Sequence, residues 1–252
     1  MDNFTNLSGR TIERIPLAGV LFRDVDLSNA RFERVTLSRT VMRGVELGNV
    51  TIDGDIENLV INGVDVAPLV NAELDRRYPD RPRMRPTDVA GFSEAWDVVE
   101  RIWDGTVAKA RALPPERLHT SVDGEWSFIE TLRHLLFATD SWVGPVILGN
   151  PNPWHALDLP FDQMEDVPGV PRDRDVRPSL EEVLALRKDR MAMVRRVLDE
   201  LTEEQLKGQT EPVDGAGWPD SISYPVRECL LIVLNEEWQH RLYAERDLAQ
   251  LT

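Results

Sequence analysis

Large apolar residues recur at every fifth position near the start of the chain: Leu7, Ile12, Leu17, Phe22, Leu27, Phe32, Leu37, Met42, Leu47 and Ile52. Two positions before many of them stands a second residue, small or β-branched: Val20, Val25, Ala30, Val35, Thr40, Val45 and Val50. One residue then drops out of register, and the pattern resumes at Ile56, Ile61 and Val66, preceded by Leu59 and Val64. Neither the 3.6-residue period of a helix nor the two-residue period of a strand produces this spacing. A fixed period of this kind marks a repeat architecture. The character changes after residue 66. A short helix is expected near 69–77, and Pro79, Pro82 and Pro86 then break it, so 67–86 reads as a linker. Four long helical patterns come next, at about 87–113, 127–148, 179–201 and 225–251. In the first, Val89, Phe92, Trp96, Val99 and Trp103 fall at steps of three and four. Ser127 with Glu130, and Ser179 with Glu182, are capping-box pairs, and Pro225 suits a first helical turn.

The five-residue period resembles the pentapeptide-repeat family. The resemblance implies a short right-handed quadrilateral β-helix over 1–66, with the centres and the small residues two before them pointing inward. Some members of that family mimic DNA and bind a topoisomerase. Here the region carries ten acidic and seven basic residues, a net of −3, which is weak for a duplex mimic. The expected role is a stacked module that caps or extends the helical domain, since solenoid ends need covering.

Four helices in sequence suggest a bundle. Two long connections separate them, 149–178 and 207–224, and connections of this length without regular structure are uncommon unless functional or disordered. Each holds a tryptophan, Trp154 and Trp218, which argues for loops folded over one end of the bundle as the wall of a pocket.

Composition narrows the function. The chain of 252 residues is 42% apolar, enough for a substantial core, and its 44 acidic against 29 basic residues give a net charge of −15. Such a chain is poorly suited to bind nucleic acid or anionic lipid by electrostatics. No uninterrupted apolar run of about 18 residues is present, so no membrane span is expected. The start, "MDNFTNLSGR", lacks the basic and apolar regions of a signal peptide. A lone cysteine, Cys229 within "RECLLIVL", excludes an internal disulfide, reads as a buried structural thiol and fits a reducing cytoplasm.

The candidate chemistry lies on two helices. In "LNEEWQHRLYAERDL", 234–248, Glu236 and His240 share a stripe with Cys229, Val233, Tyr243 and Ala244. His134 shares its own stripe with Glu130, Thr131 and Ser141. Polar groups on core-like stripes are costly unless paired or bound to a metal. The segments "GEWSFIETLRHLLFATDSWVGPVILG", 124–149, and 234–248 resemble the DinB/YfiT-like superfamily of metal-binding four-helix bundles, over about 87–251. The resemblance implies a DinB-like four-helix bundle over 87–252. It also implies one divalent metal, held by a histidine on the second helix and two histidines at i, i+4 on the fourth. Carried over, these positions are His134, Glu236 and His240, with glutamate at the middle position. Residues four apart reach one ion from one helix face. A His/Glu/His set suits zinc first, with nickel, iron or manganese as alternatives. Glu237, three before His240, stays open as a substitute ligand. His155 in "NPWHALDLP" is a candidate loop-borne catalytic or substrate-binding group, and His119 reads as structural.

Several superfamily members use the metal to activate a low-molecular-weight thiol such as mycothiol, bacillithiol or glutathione. The resemblance therefore implies a metal-dependent thiol S-transferase acting on a small electrophilic substrate, in a chain that forms homodimers in many relatives. Two alternatives stay open. One is a metal-dependent hydrolase; the other is a non-catalytic scaffold that docks a partner through the pentapeptide module.

Overall fold

Two residues after each apolar centre the backbone turns through the left-handed region. Gly9, Arg14, Gly19, Asp24, Asn29, Arg34, Arg39, Gly44 and Asn49 all have φ between 53° and 78°. The five-residue period is thus written into the main chain of the first of two compact units, Met1–Asp55 and Ile56–Thr252. The computed structural model describes residues 7, 9–54, 56–215 and 217–252. Among the described residues of the first unit there is no strand and no buried side chain. The apolar centres stay about half exposed, from Leu17 at 47% to Phe32 at 62%. Hydrogen bonds are local, as from Val20 N–H to the Leu17 carbonyl and from Ala30 N–H to the Leu27 carbonyl. A closed β-helix needs ladders between successive coils and inward-facing centres. The structure therefore shows the five-residue turn, but not the quadrilateral β-helix expected from it.

The tail of the repeat pattern belongs to the second unit. Strands β1 (Val60–Ile61) and β2 (Val64–Asp65) pair antiparallel around Asn62-Gly63, both at positive φ. An Asn-Gly pair of this kind closes a two-residue hairpin. The expected linker is packed instead. Helix α1 (Ala67–Arg77) packs on a 3-10 turn (Arg81–Met84), which lies against the bundle. Met84 joins the core, the Tyr78 ring meets Trp238 edge-on, and Arg81 and Arg85 both bond Asp75. The prolines break the helix without freeing the segment.

The four long helices are α2 (Val89–Arg111), α3 (Phe128–Trp142), α4 (Leu180–Glu200) and α6 (Val226–Gln250), with a short α5 (Glu203–Leu206) between the last two. Both expected capping boxes form. α3 ends six residues short of the expected 148, because Pro145 brings no N–H to continue it. α2 and α3 each pack against α4 and α6, so the bundle runs α2–α4–α3–α6 around its axis. Phe92, Trp96, Ile129, Leu136, Val194 and Leu234 are among the buried side chains that fill it. Among the described residues no helix is long and apolar enough to cross a membrane.

Two results are expected from this arrangement. Ser127→Ala removes the cap that accepts the Glu130 N–H, and should lower unfolding free energy by about 1 kcal/mol in denaturant titration. The core cluster begins at Met84. Deleting residues 1–55 should therefore leave a helical far-UV spectrum and a cooperative thermal transition.

Candidate metal centre

His134 projects from α3, and Glu236 and His240 from the neighbouring α6. Glu236 Oε2 stands between the two imidazoles, 3.3 Å from His134 Nε2 and 3.1 Å from His240 Nε2. Each residue offers one ligand atom, and these atoms lie within 4.8 Å of one another. Ligand bonds of about 2.0–2.1 Å in a tetrahedral zinc site separate donor atoms by roughly 3.3 Å, which the two carboxylate-to-imidazole separations match.

The tautomer of His134 follows from its surroundings. Nδ1 lies 2.9 Å from the Leu159 carbonyl oxygen, which can only accept, so Nδ1 carries the proton and donates it. Nε2 is thereby left as the ring atom that faces Glu236, the arrangement that orients a metal-ligating histidine. Burial pushes the Glu236 carboxyl up, but hydrogen bonds from His134 and His240 and their charges outweigh it and hold it well below the usual carboxylate range. A carboxylate held ionised in this partly buried place is an anionic donor ready for a cation.

Aromatic rings surround these polar atoms. Trp126 stacks nearly parallel on His240, with centroids 5.8 Å apart, and sits 4.6 Å from His134. Tyr243 meets His240 edge-on, and Phe137 lies 6.0 Å from His134. Trp154 stacks on Phe137 at 5.4 Å. Trp126 immediately precedes the Ser127 cap of α3, and no periodicity in the sequence pointed to it.

The connection 149–178 is tied to the α3 ligand. Arg133 donates to the carbonyls of Leu157 and Asp173 and accepts the Leu159 N–H on its own carbonyl. The Trp126 indole N–H donates to Asp162. Trp218, from the connection 207–224, meets Phe161 edge-on at 5.4 Å. The two connections also touch at Gly217, where a Cβ would stand 2.9 Å from a Val170 methyl. Thus Trp154 is linked to His134 through the Phe137 ring, whereas Trp218 packs on Phe161 of the connection 149–178.

The remaining candidates are elsewhere. His155 closes a turn: its Nδ1 accepts the Leu157 N–H and its own N–H donates to Asp158. The three-ligand cluster does not include it. Glu237 is fully committed to Arg187, 2.6 and 2.7 Å through both oxygens, with side-chain exposures of 1% and 3%. It points into the core and not toward His240's partners, which removes it as a substitute ligand. Burial pushes the Cys229 thiol up to about 11, so it is no nucleophile at neutral pH.

Residues 99–244 match the family model described as DinB superfamily. That span starts within α2, ends within α6, and contains all three donors. No curated protein and no solved structure matches the chain.

Proposed function

The chain belongs to the DinB superfamily, and we propose that it is a metal-dependent enzyme. His134, Glu236 and His240 hold one divalent cation, and the site activates a low-molecular-weight thiol for transfer to a small electrophile. One observation carries the reading: an ionised, partly buried Glu236 oxygen lies within 3.3 Å of two imidazole nitrogens, one of them on a ring oriented by a backbone carbonyl. A divalent cation bound there supplies positive charge that favours the deprotonated form of a thiol.

The chain's own residues do the rest. Glu236 contributes the one negative charge of the donor set. His134 keeps its Nδ1 proton on Leu159, so only Nε2 faces the cation. Trp126 and Phe137 flank the histidines, with Trp154 stacked on Phe137, and offer an apolar face to a substrate. No protein thiol competes, since Cys229 is buried and protonated. Zinc suits the donors best, and nickel, iron and manganese are the alternatives.

The first unit supports a second, non-catalytic reading. Its exposed apolar centres at five-residue steps resemble those of a pentapeptide-repeat module and would serve to dock a partner. Metal content after purification without chelators, followed by a screen of thiols against electrophiles, separates the two. Near-stoichiometric metal and thiol-dependent turnover are expected, and a metal-free, inactive protein leaves only the scaffold. Trp154→Ala should raise the KM for the active thiol or electrophile about fivefold, the worth of one aromatic stack. An unchanged KM places the substrate away from Trp154.

A further inference from the structure

A second buried polar cluster lies outside the donor set. Asp140, 2% exposed on α3, accepts two hydrogen bonds from Arg190 of α4, both 2.8 Å. Asp158, fully buried in the connection 149–178, accepts the His155 N–H on Oδ2 at 2.9 Å. Its Oδ1 is sealed from water and has no donor. The two carboxyl groups lie within hydrogen-bonding reach of each other. Two buried ionised carboxylates cannot share one guanidinium without a large penalty, and Arg190 is already bidentate on Asp140 while also bonding Asp189. A proton between the carboxyls removes the repulsion and satisfies the orphaned oxygen together.

We propose that Asp158 is a neutral carboxylic acid donating its proton to Asp140, and that this shared proton fixes the turn whose Leu159 carbonyl orients His134. Asp158 and Leu159 are adjacent, and each is fastened to α3: one to Asp140, the other to the Arg133 carbonyl and the His134 ring. The turn is closed internally by the Asp158 N–H on the His155 carbonyl and the Leu157 N–H on His155 Nδ1. Asp158 is thus a positioning residue. Its link to catalysis rests on the proposed metal site, but its link to His134 does not.

The charged groups facing Asp158 are Asp140 from α3, Arg190 with its Asp189 partner from α4, and His155 from its own turn. Burial first, then the Asp140 charge, pushes Asp158 up to about 8, against the pull of the His155 N–H and Arg190. The folded protein therefore keeps a proton that the unfolded chain loses in the ordinary carboxylate range. From this group the folded-to-unfolded ratio falls about tenfold per pH unit between roughly pH 5 and 8, then levels off. Asp158→Asn offers an amide N–H to Asp140 and a carbonyl to His155 without titrating.

The experiment uses the metal-free full-length chain. Denaturant unfolding of wild type and D158N is compared from pH 5 to 9, and ¹⁵N spectra report the His134 tautomer. The two proteins should diverge about tenfold per pH unit in favour of D158N, which should also keep the Nδ1–H tautomer. Asp158→Ala should mix the tautomers, and so should wild type at pH 9.5 while D158N does not, a comparison that stands even where D158A fails to fold. Parallel pH curves for wild type and D158N overturn the shared proton. An unmixed tautomer in wild type at pH 9.5 overturns the positioning role. A failed zinc titration sinks the metal reading and leaves these results untouched.

Discussion

His240→Ala should strip the protein of divalent metal while the bundle stays folded. His240 is one of three donors, and the remaining pair cannot enclose an ion. Losing an outer-shell partner already costs 10–100-fold in metal affinity, so losing a direct ligand should cost more than about a hundredfold. The fold should survive, because the His240 side chain is partly exposed at 17% and lies outside the core cluster. Glu236→Gln should also weaken binding, since it keeps the shape but removes the negative charge. Glu237→Gln should leave metal affinity intact, because that carboxylate is turned away on Arg187. Acid should release the metal, because protons compete with the cation for the ligand lone pairs. Competition against a chromophoric chelator measures each affinity. A wild-type protein that binds no zinc, nickel, iron or manganese at micromolar concentration would falsify the metal reading and the thiol chemistry with it.

The second large effect concerns the Arg187–Glu237 pair. α4 and α6 stand on opposite sides of the bundle, so this bidentate ion pair spans its interior, with the Arg187 guanidinium 5.3 Å from the Trp103 ring centroid. Arg187→Met leaves Glu237 as an uncompensated buried charge, and should cost about 3–5 kcal/mol in denaturant unfolding. The double replacement Arg187→Met with Glu237→Leu removes both charges and should recover most of that loss. A single replacement costing less than about 1 kcal/mol would show that water reaches the pair.

Helical periodicity was legible from residue to residue. The spacing of Val89, Phe92, Trp96, Val99 and Trp103 marked α2, and two capping boxes marked the starts of α3 and α4. Such signals are local, set by backbone donors and the side chains within one turn. The five-residue period was legible for the same reason, whereas the left-handed residue two after each centre emerged only from the backbone. Whether those turns stack into ladders depends on contacts many residues apart, and the spacing alone did not decide it. The hairpin at 60–65 was signalled by Asn62-Gly63, but the repeat pattern hid it, because Ile61 kept the register.

Within the site, the i, i+4 relation of Glu236 and His240 is a property of one helix and was readable in the chain. Its convergence with His134 is a property of how α3 packs on α6. The choice between Glu236 and Glu237 shows the boundary well. Adjacent residues on a helix point about 100° apart, and either could have faced His134. Only the packing of α4 settled it, by supplying Arg187 to one of them. Trp126, Asp140 and Asp158 obey the same rule. Each is an ordinary residue in the sequence, made part of the centre or its support by neighbours that the chain brings from elsewhere. The sequence determined which segments are helical and which residues could ligate. The tertiary structure decided which of them meet, because burial and charge pairing act through space and not along the chain.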